Sequence, residues 1–310
     1  MHIAQIGTGR VGRPTAYTIM CSELADTITV CDTKRGLAKA FCEELRHATA
    51  SLGLDVDIVA CERDGDVTGA DIILVSAGKP RTPGVKMTRR DLAVQNGKIV
   101  KQIAESTAPN NRDAKYIVIT NPVDAMAMVC KKYSEAIFVI STGTNLESLR
   151  FRSELARTLE VPVSRVEGWV GGEHGQKAVL LWSTVKINGV ALKEYLTLND
   201  KTLNKAKIDS YVKSVSKIII DNIGGTEYGP ATSFRDITRA IAKNTNEILA
   251  VAAPLDFEGL PEPIFVSIPR KLGESIGETI YDTLAPTEKT EMREAAEAIY
   301  QTFKTERVLS

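Results

Sequence analysis

A glycine-rich hexapeptide, Gly7-Thr8-Gly9-Arg10-Val11-Gly12, follows the apolar run Ile3–Ile6 and opens an amphipathic stretch over Val11–Leu24. The order of strand, glycines and helix leaves the chain few ways to fold. Such glycines allow a tight turn and close backbone approach, and the free N–H groups at the helix start seat a pyrophosphate. Asp32 lies 20 residues past Gly12, after the apolar run Ile28–Cys31. A carboxylate there accepts hydrogen bonds from both ribose hydroxyls of an adenosine and repels a 2′-phosphate, which predicts NAD rather than NADP as cofactor. Lys34 and Arg35 stand close by and weaken that preference. Taken alone, the hexapeptide would also suit a plain turn beside an unrelated acid.

The rest of the first 145 residues agrees with the fingerprint. Strand patterns at Ile3–Ile6, Thr27–Val30, Val56–Ala60, Ile72–Ser76, Tyr116–Thr120 and Ile137–Ser141 alternate with helical patterns at Val11–Leu24, Lys34–Leu52, Asp91–Ser106 and Ala125–Tyr133. Apolar runs that alternate with amphipathic stretches predict a parallel sheet with crossover helices, and ligands bind at the carboxyl ends of its strands. After about residue 145 the pattern changes. A helix over Glu147–Leu159 precedes a strand over Lys177–Ile187, which leads into a hairpin at Asn188-Gly189. Helices near 202–222 and 230–245, strands at 247–253 and 264–268, and a charged helix at 286–305 complete the chain. The predicted fold class is therefore α/β: a Rossmann-type doubly wound parallel sheet over 1–145, followed by an α+β substrate and catalytic domain over 146–310.

Composition narrows the partners. Lys+Arg and Asp+Glu both number 39, so the formal charge is zero and gives no reason to expect nucleic acid or an anionic membrane. The five cysteines form no Cys-x-x-Cys pair and read as reduced thiols of a cytoplasmic protein. The chain opens directly on a strand pattern, without a signal-peptide pattern, and no apolar run reaches membrane-spanning length. No His/Cys/Asp spacing suggests a metal site.

The second constraint is chemical. His174, one of three histidines, lies in Gly171-Gly172-Glu173-His174-Gly175. Histidine is the side chain whose unperturbed proton equilibrium lies near neutral pH, and glycines let it approach a small ligand. His47 lies in a helical pattern and His2 before a strand, and both read as structural. Polar residues also sit next to strand ends: Arg81 and Arg89 after Ile72–Ser76, Asn121 after Tyr116–Thr120, and Glu147 with Arg150, three apart and on one helix face. A guanidinium matches a carboxylate with parallel donors. An imidazole paired with a carboxylate keeps its orientation and a stabilised cationic form. A cation near a carbonyl oxygen stabilises the charge that develops there during hydride transfer. Solvated ion pairs are the plain alternative for Arg81 and Arg150, and the preferred reading of Arg90.

With these residues in view, the chain resembles the NAD-dependent lactate and malate dehydrogenase family. The resemblance runs from residue 1 to about 190. It rests on Gly7–Gly12 with Asp32, Ala77-Gly78-Lys79-Pro80-Arg81-Thr82-Pro83-Gly84, Thr120-Asn121-Pro122-Val123-Asp124, Gly143–Arg150 and Gly172-Glu173-His174-Gly175. It implies that His174 is the proton donor and acceptor, that Glu147 is the carboxylate paired with it, and that Arg150 clamps the substrate's C1 carboxylate. It further implies that Arg89 polarises the reacting carbonyl, that Asn121 bonds substrate and nicotinamide ribose, and that Thr226 lines the substrate side. Gly7, Gly9, Arg10, Val11, Gly12, Asp32, Ala77, Gly78, Asn96, Thr120 and Asn121 are the implied cofactor contacts. The family places arginine at the position of Arg81 in malate enzymes and usually a neutral residue in lactate enzymes. A methyl group there would leave a buried guanidinium unpaired at a cost on the order of 3–5 kcal/mol. The implied substrate is thus a small dicarboxylic 2-hydroxy or 2-oxo acid, malate or oxaloacetate, and the implied assembly a homodimer or homotetramer.

Three departures stand out. Glu147 replaces the family's aspartate, and its extra methylene must be absorbed by a rotamer or a helix shift. The run from Arg81 to Arg89 is two residues longer, with Val85 and Lys86 as the extra pair and Arg90 as the fallback for Arg89. Gln176 stands where an aspartate is common. Two rivals stay open: a dehydrogenase of lactate or another 2-hydroxy acid, and a catalytically silent NAD-binding protein.

Overall fold

The computed structural model describes residues 1–79 and 89–307, and the side chains of residues 89, 90 and 305–307 lie outside that description. The first half holds six strands: β1 His2–Ile6, β2 Thr27–Cys31, β3 Asp57–Cys61, β4 Ile72–Val75, β5 Lys115–Val118 and β6 Val139–Ser141. Helices α1 Gly12–Cys21, α2 Leu37–Leu52, α3 Arg89–Thr107 and α4 Val123–Ser134 connect them. All pairings among the six strands are parallel, in the order β3-β2-β1-β4-β5-β6. This is the doubly wound arrangement expected from alternating runs, with the order reversing between β1 and β4.

The strand sequences explain the burial. All four side chains of β4 are buried, because helices cover both faces of the sheet. Ile73 and Val75 join Tyr116 and Val118 on one face, against Ile103 of α3 and Met126 of α4. Ile72 and Leu74 join Ile117 on the other, against Ile19 and Met20 of α1 and Leu45 of α2. The period of two in the strands thus sorts neighbouring residues into two cores.

The second half consists of α5 Asn145–Leu159, β7 Val166–Gly172, β8 Ala178–Ile187, β9 Val190–Ala191, α6 Leu192–Leu198, α7 Lys205–Ile223, α8 Tyr228–Ala242, β10 Glu247–Leu255, β11 Ile264–Leu272, β12 Ile276–Thr279 and α9 Pro286–Arg307. Asn188 and Gly189 have φ of 53° and 77°, the paired positive values of a tight hairpin between β8 and β9. A third core under α5 and α7 gathers Phe151, Leu155, Leu180, Ile208 and Val212. Phe151 and Trp182 meet edge to face, with ring centroids 4.9 Å apart.

Four elements differ from the sequence expectation. The strand β7 carries Gly168, Gly171 and Gly172, which hide its apolar alternation; pairing with β8 stabilises it. The seven-residue α6 and four-residue β12 are too short to show a period. Helix α2 begins at Leu37 rather than Lys34, because Gly36 adopts φ 75° at its N-cap and Asp32 Oδ1 accepts the Lys34 N–H at 2.9 Å. The two halves share one sheet: Ser141 of β6 pairs with Ala252 of β10, and Ser267 of β11 pairs with Gly172. Phe234 and Ile237 of α8 and Met292 and Ile299 of α9 pack into the two cores of the first half. Among the described residues no helix is long and apolar enough to cross a membrane.

Candidate active site

The carboxyl edge of the parallel sheet carries the glycine turn. A Cβ on Gly12 would lie 2.0 Å from the Gly7 carbonyl oxygen and 2.8 Å from Ser76 Oγ, so only glycine lets α1 start this close to β1 and β4. At Gly9 nothing lies within 4 Å of the same position, which leaves the turn's outer side open to a ligand. Asp32 is oriented from this turn: its Oδ2 accepts the Thr8 N–H at 2.8 Å and the Thr8 hydroxyl at 2.7 Å. With the bond from Lys34, three contacts are made, and a carboxylate has about four acceptor positions. One remains, for a single ribose hydroxyl rather than the two expected from the sequence, because the Thr8 and Lys34 groups take the others; a dinucleotide still fits this edge.

The neighbouring loops are held by side chains that the sequence reading assigned to the cofactor. Asn96, 2% exposed, accepts the Lys79 N–H at 2.7 Å and donates to the Asn121 carbonyl at 2.7 Å. Thr120 donates to the Ala77 carbonyl at 2.8 Å. Both therefore shape the crevice by fixing the Ala77–Lys79 and Asn121 backbones. Asn121 is exposed at the end of this edge. Arg10 reaches out of the glycine turn to the Ile223 carbonyl, at 3.3 Å, and to the Glu227 carboxylate. It thus fastens the turn between α7 and α8, which contains the half-buried Thr226, to the cofactor edge.

The second group gathers around α5. Glu147 stands in its first turn, 5% exposed, and Arg150 follows one turn later. His174 Nδ1 lies 2.9 Å from Glu147 Oε1, and Arg150 Nη1 lies 3.8 Å from the same oxygen. Glutamate in place of aspartate therefore still reaches the ring. Burial by itself raises the Glu147 pKa. The positive charges of His174 and Arg150, with the hydrogen bond from His174, outweigh it and bring the carboxyl below its ordinary value.

Polar staples set this geometry. Ser148 of α5 accepts the Val170 N–H at 2.9 Å and Thr144 donates to the Val170 carbonyl, which fixes α5 against β7. β7 ends at Gly172, two residues before His174. Gly172 has φ 83°, and a Cβ there would meet the Lys177 carbonyl at 2.4 Å, so the turn back into β8 requires glycine. Asp124, whose role the motif Thr120-Asn121-Pro122-Val123-Asp124 does not reveal, accepts the His174 backbone N–H at 2.9 Å. Its signal in the sequence is a lone acid inside the apolar helix Val123-Asp124-Ala125-Met126-Ala127-Met128-Val129.

Arg81 lies outside the described residues. Arg89 and Arg90 open α3, and their side chains lie outside the description. Among the described residues no group of His, Cys, Asp and Glu is arranged to hold a metal ion. The arrangement as a whole pairs a dinucleotide seat with an imidazole–carboxylate couple and an adjacent guanidinium. That suits hydride exchange with a small anionic substrate.

Comparison with known proteins agrees. Residues 1–138 match the model of the lactate/malate dehydrogenase NAD binding domain, and residues 144–307 that of the lactate/malate dehydrogenase alpha/beta C-terminal domain. The malate dehydrogenase of Sulfurisphaera tokodaii is 41% identical over 302 residues, covering 97% of this chain and 95% of that protein. An L-lactate dehydrogenase of Thermoanaerobacter pseudethanolicus is 32% identical over 303 residues, covering 96% of each. The crystal structure of malate dehydrogenase from Plasmodium falciparum superposes with a TM-score of 0.93 at 26% identity, covering 100% of this chain and 99% of that one. The chain belongs to the lactate/malate dehydrogenase family and is an NAD-dependent oxidoreductase.

Proposed function

We propose that the protein interconverts malate and oxaloacetate, with His174 as the proton-exchanging group. The observation that carries the reading is the His174 Nδ1 to Glu147 contact of 2.9 Å, with Arg150 beside it on the same helix face. With Nδ1 committed to the carboxylate, Nε2 is the nitrogen that exchanges the proton. Arg150 binds the C1 carboxylate of the 2-oxo acid. Arg89, with Arg90 as the alternative, polarises the C2 carbonyl, and Asn121 and Thr226 help position the substrate. The cofactor, when bound, supplies the hydride for C2. Protonated His174 gives its proton to the C2 oxygen, which leaves malate, the oxidised cofactor and a neutral ring. Oxidation of malate starts from the neutral ring and is favoured at higher pH. Gly7, Gly9, Arg10, Val11, Gly12, Asp32, Ala77, Gly78, Asn96 and Thr120 serve the cofactor directly or by holding its crevice.

The choice of a four-carbon dicarboxylate rests on the sequence. Arg81 is assigned to the far carboxylate, and relatives named malate dehydrogenase, at 41% and 38% identity, support it. The second reading is lactate or another 2-hydroxy acid, favoured by lactate dehydrogenases at 32% identity. A catalytically silent protein is the less economical reading, since Glu147 meets His174 despite its extra methylene. The function is checked by NADH oxidation with oxaloacetate and with pyruvate. Oxaloacetate is expected to win by at least a hundred-fold in kcat/KM, and Arg81→Gln to move preference toward pyruvate. Faster turnover of pyruvate by the unmodified enzyme would make lactate the substrate. We also assign residues 1–145 to the NAD-binding lobe and 146–310 to the catalytic lobe, and place the protein in the cytoplasm as a homodimer or homotetramer. The five free cysteines suit that compartment.

A further inference from the structure

Asp124 lies in the first turn of α4 and is 1% exposed, among the buried Val123, Ala125, Met126 and Ala127. Burying a carboxylate is costly unless hydrogen bonds replace its water, so its partners show what holds it there. Oδ1 accepts the Ser141 hydroxyl at 2.8 Å, at the end of β6. Oδ2 accepts the backbone N–H of His174 at 2.9 Å. Ser141 Oγ in turn accepts the Gly143 N–H at 3.1 Å, where the chain enters α5. One carboxylate of the cofactor lobe thus holds the segment that carries His174 and, through Ser141, the entry to the helix that carries Glu147.

We propose that Asp124 is the positioning residue of the proton-exchanging pair: it anchors the His174 backbone so that Nδ1 meets Glu147, and ties both to the sheet edge that seats the cofactor. The inference rests on the reading of His174 as the acid–base group. The segment Gly171-Gly172-Glu173-His174-Gly175 has φ of 83° at Gly172 and 135° at Gly175. The Glu173 N–H to Lys177 carbonyl bond at 3.2 Å and the Ala178 N–H to Gly175 carbonyl bond at 3.3 Å close this turn on itself, and the Asp124 contact fixes it against α4. Misplacement of a reacting group by about 1 Å can cost on the order of a hundred-fold in rate. Asp124 also adds charge. Among the described residues, the ionisable groups around this segment include Glu147 and Arg150 from α5, Asp124 from α4, the adjacent Glu173, and Lys177, which pairs with Glu294 of α9 at 2.9 Å and also feels Glu291.

The test follows kcat, KM and the pH dependence of kcat/KM for NADH oxidation by the preferred 2-oxo acid. It uses the full chain and Asp124→Asn, Asp124→Ala and Ser141→Ala, with NADH affinity and thermal melting as controls. His174→Asn is measured alongside to show which pH limb belongs to His174. Asn keeps an acceptor for the His174 N–H but removes the charge. Asp124→Asn is expected to keep NADH affinity within about two-fold, lose about ten-fold in kcat, and move the His174 limb to lower pH, because a carboxylate bound to the His174 backbone is replaced by a neutral amide. Asp124→Ala loses the acceptor as well and is expected to fall about ten-fold further. Ser141→Ala leaves the carboxylate less well oriented and is expected to lose two- to five-fold in kcat, roughly, with the limb in place. If both Asp124 variants fail to fold, Ser141→Ala decides: an unchanged kcat overturns the inference. Unchanged kcat and limb in Asp124→Asn, or losses confined to melting, overturn it equally. Full turnover by His174→Asn overturns instead the reading on which it rests.

Discussion

Glu147 is a buried acid whose company decides its protonation. Burial opposes its charge, and His174 and Arg150 more than compensate, so its pKa lies below the ordinary value of a glutamate carboxyl. A carboxyl with a depressed pKa in the folded state stabilises the fold above its unfolded value. That stabilisation is lost as pH falls through the folded value. Glu147→Gln is therefore expected to be less stable than the parent at neutral pH, with the difference closing as pH drops below about 4. Urea unfolding of both proteins between pH 7 and pH 3 checks this. The same substitution should lower kcat by about a hundred-fold or more, since the ring loses the charge that holds and stabilises its cation. His174 and Glu147 were legible as chemistry because a histidine among glycines and an acid three residues before an arginine are local patterns. Asp124 was not read as a partner of His174, because 50 residues separate them and no local period relates them.

Among the elements, the first strand–turn–helix unit shows how tightly local sequence and packing are bound. Gly12 permits contact between α1 and the Gly7 carbonyl that no larger residue allows. Gly12→Ala is expected to push α1 from the sheet, cost about 1–3 kcal/mol by overpacking, and weaken NADH binding at least ten-fold. Denaturant unfolding and a fluorescence titration with NADH would register both, and unchanged NADH affinity would contradict the seat assigned to the dinucleotide. The helices and parallel strands of the first half were legible because buried runs and amphipathic stretches carry their periods in the sequence. The strand β7 was not. Its three glycines erase the alternation, and its conformation is imposed by pairing with β8.

At the scale of the whole molecule, the surface of the chain holds apolar side chains on and beside α7. Ile218, Ile223 and Tyr228 are 60%, 65% and 77% exposed. Burial of such side chains against a second copy contributes about 1.5–3 kcal/mol for each one fully covered. The protein is expected to sediment as a dimer or tetramer, and a monomer at micromolar concentration in analytical ultracentrifugation would refute this assembly. Length, alternating runs and the Gly7–Asp32 spacing were enough to determine the doubly wound sheet and its cofactor edge, because each depends on residues close in sequence. Tertiary structure alone decided how the second half closes on the first. Ser141 meets Ala252, Arg10 meets Glu227, and Asp124 holds His174. Those contacts join segments 50 to more than 200 residues apart. They exist because packing two lobes around shared cores brings them together, a consequence that no periodicity along the chain records.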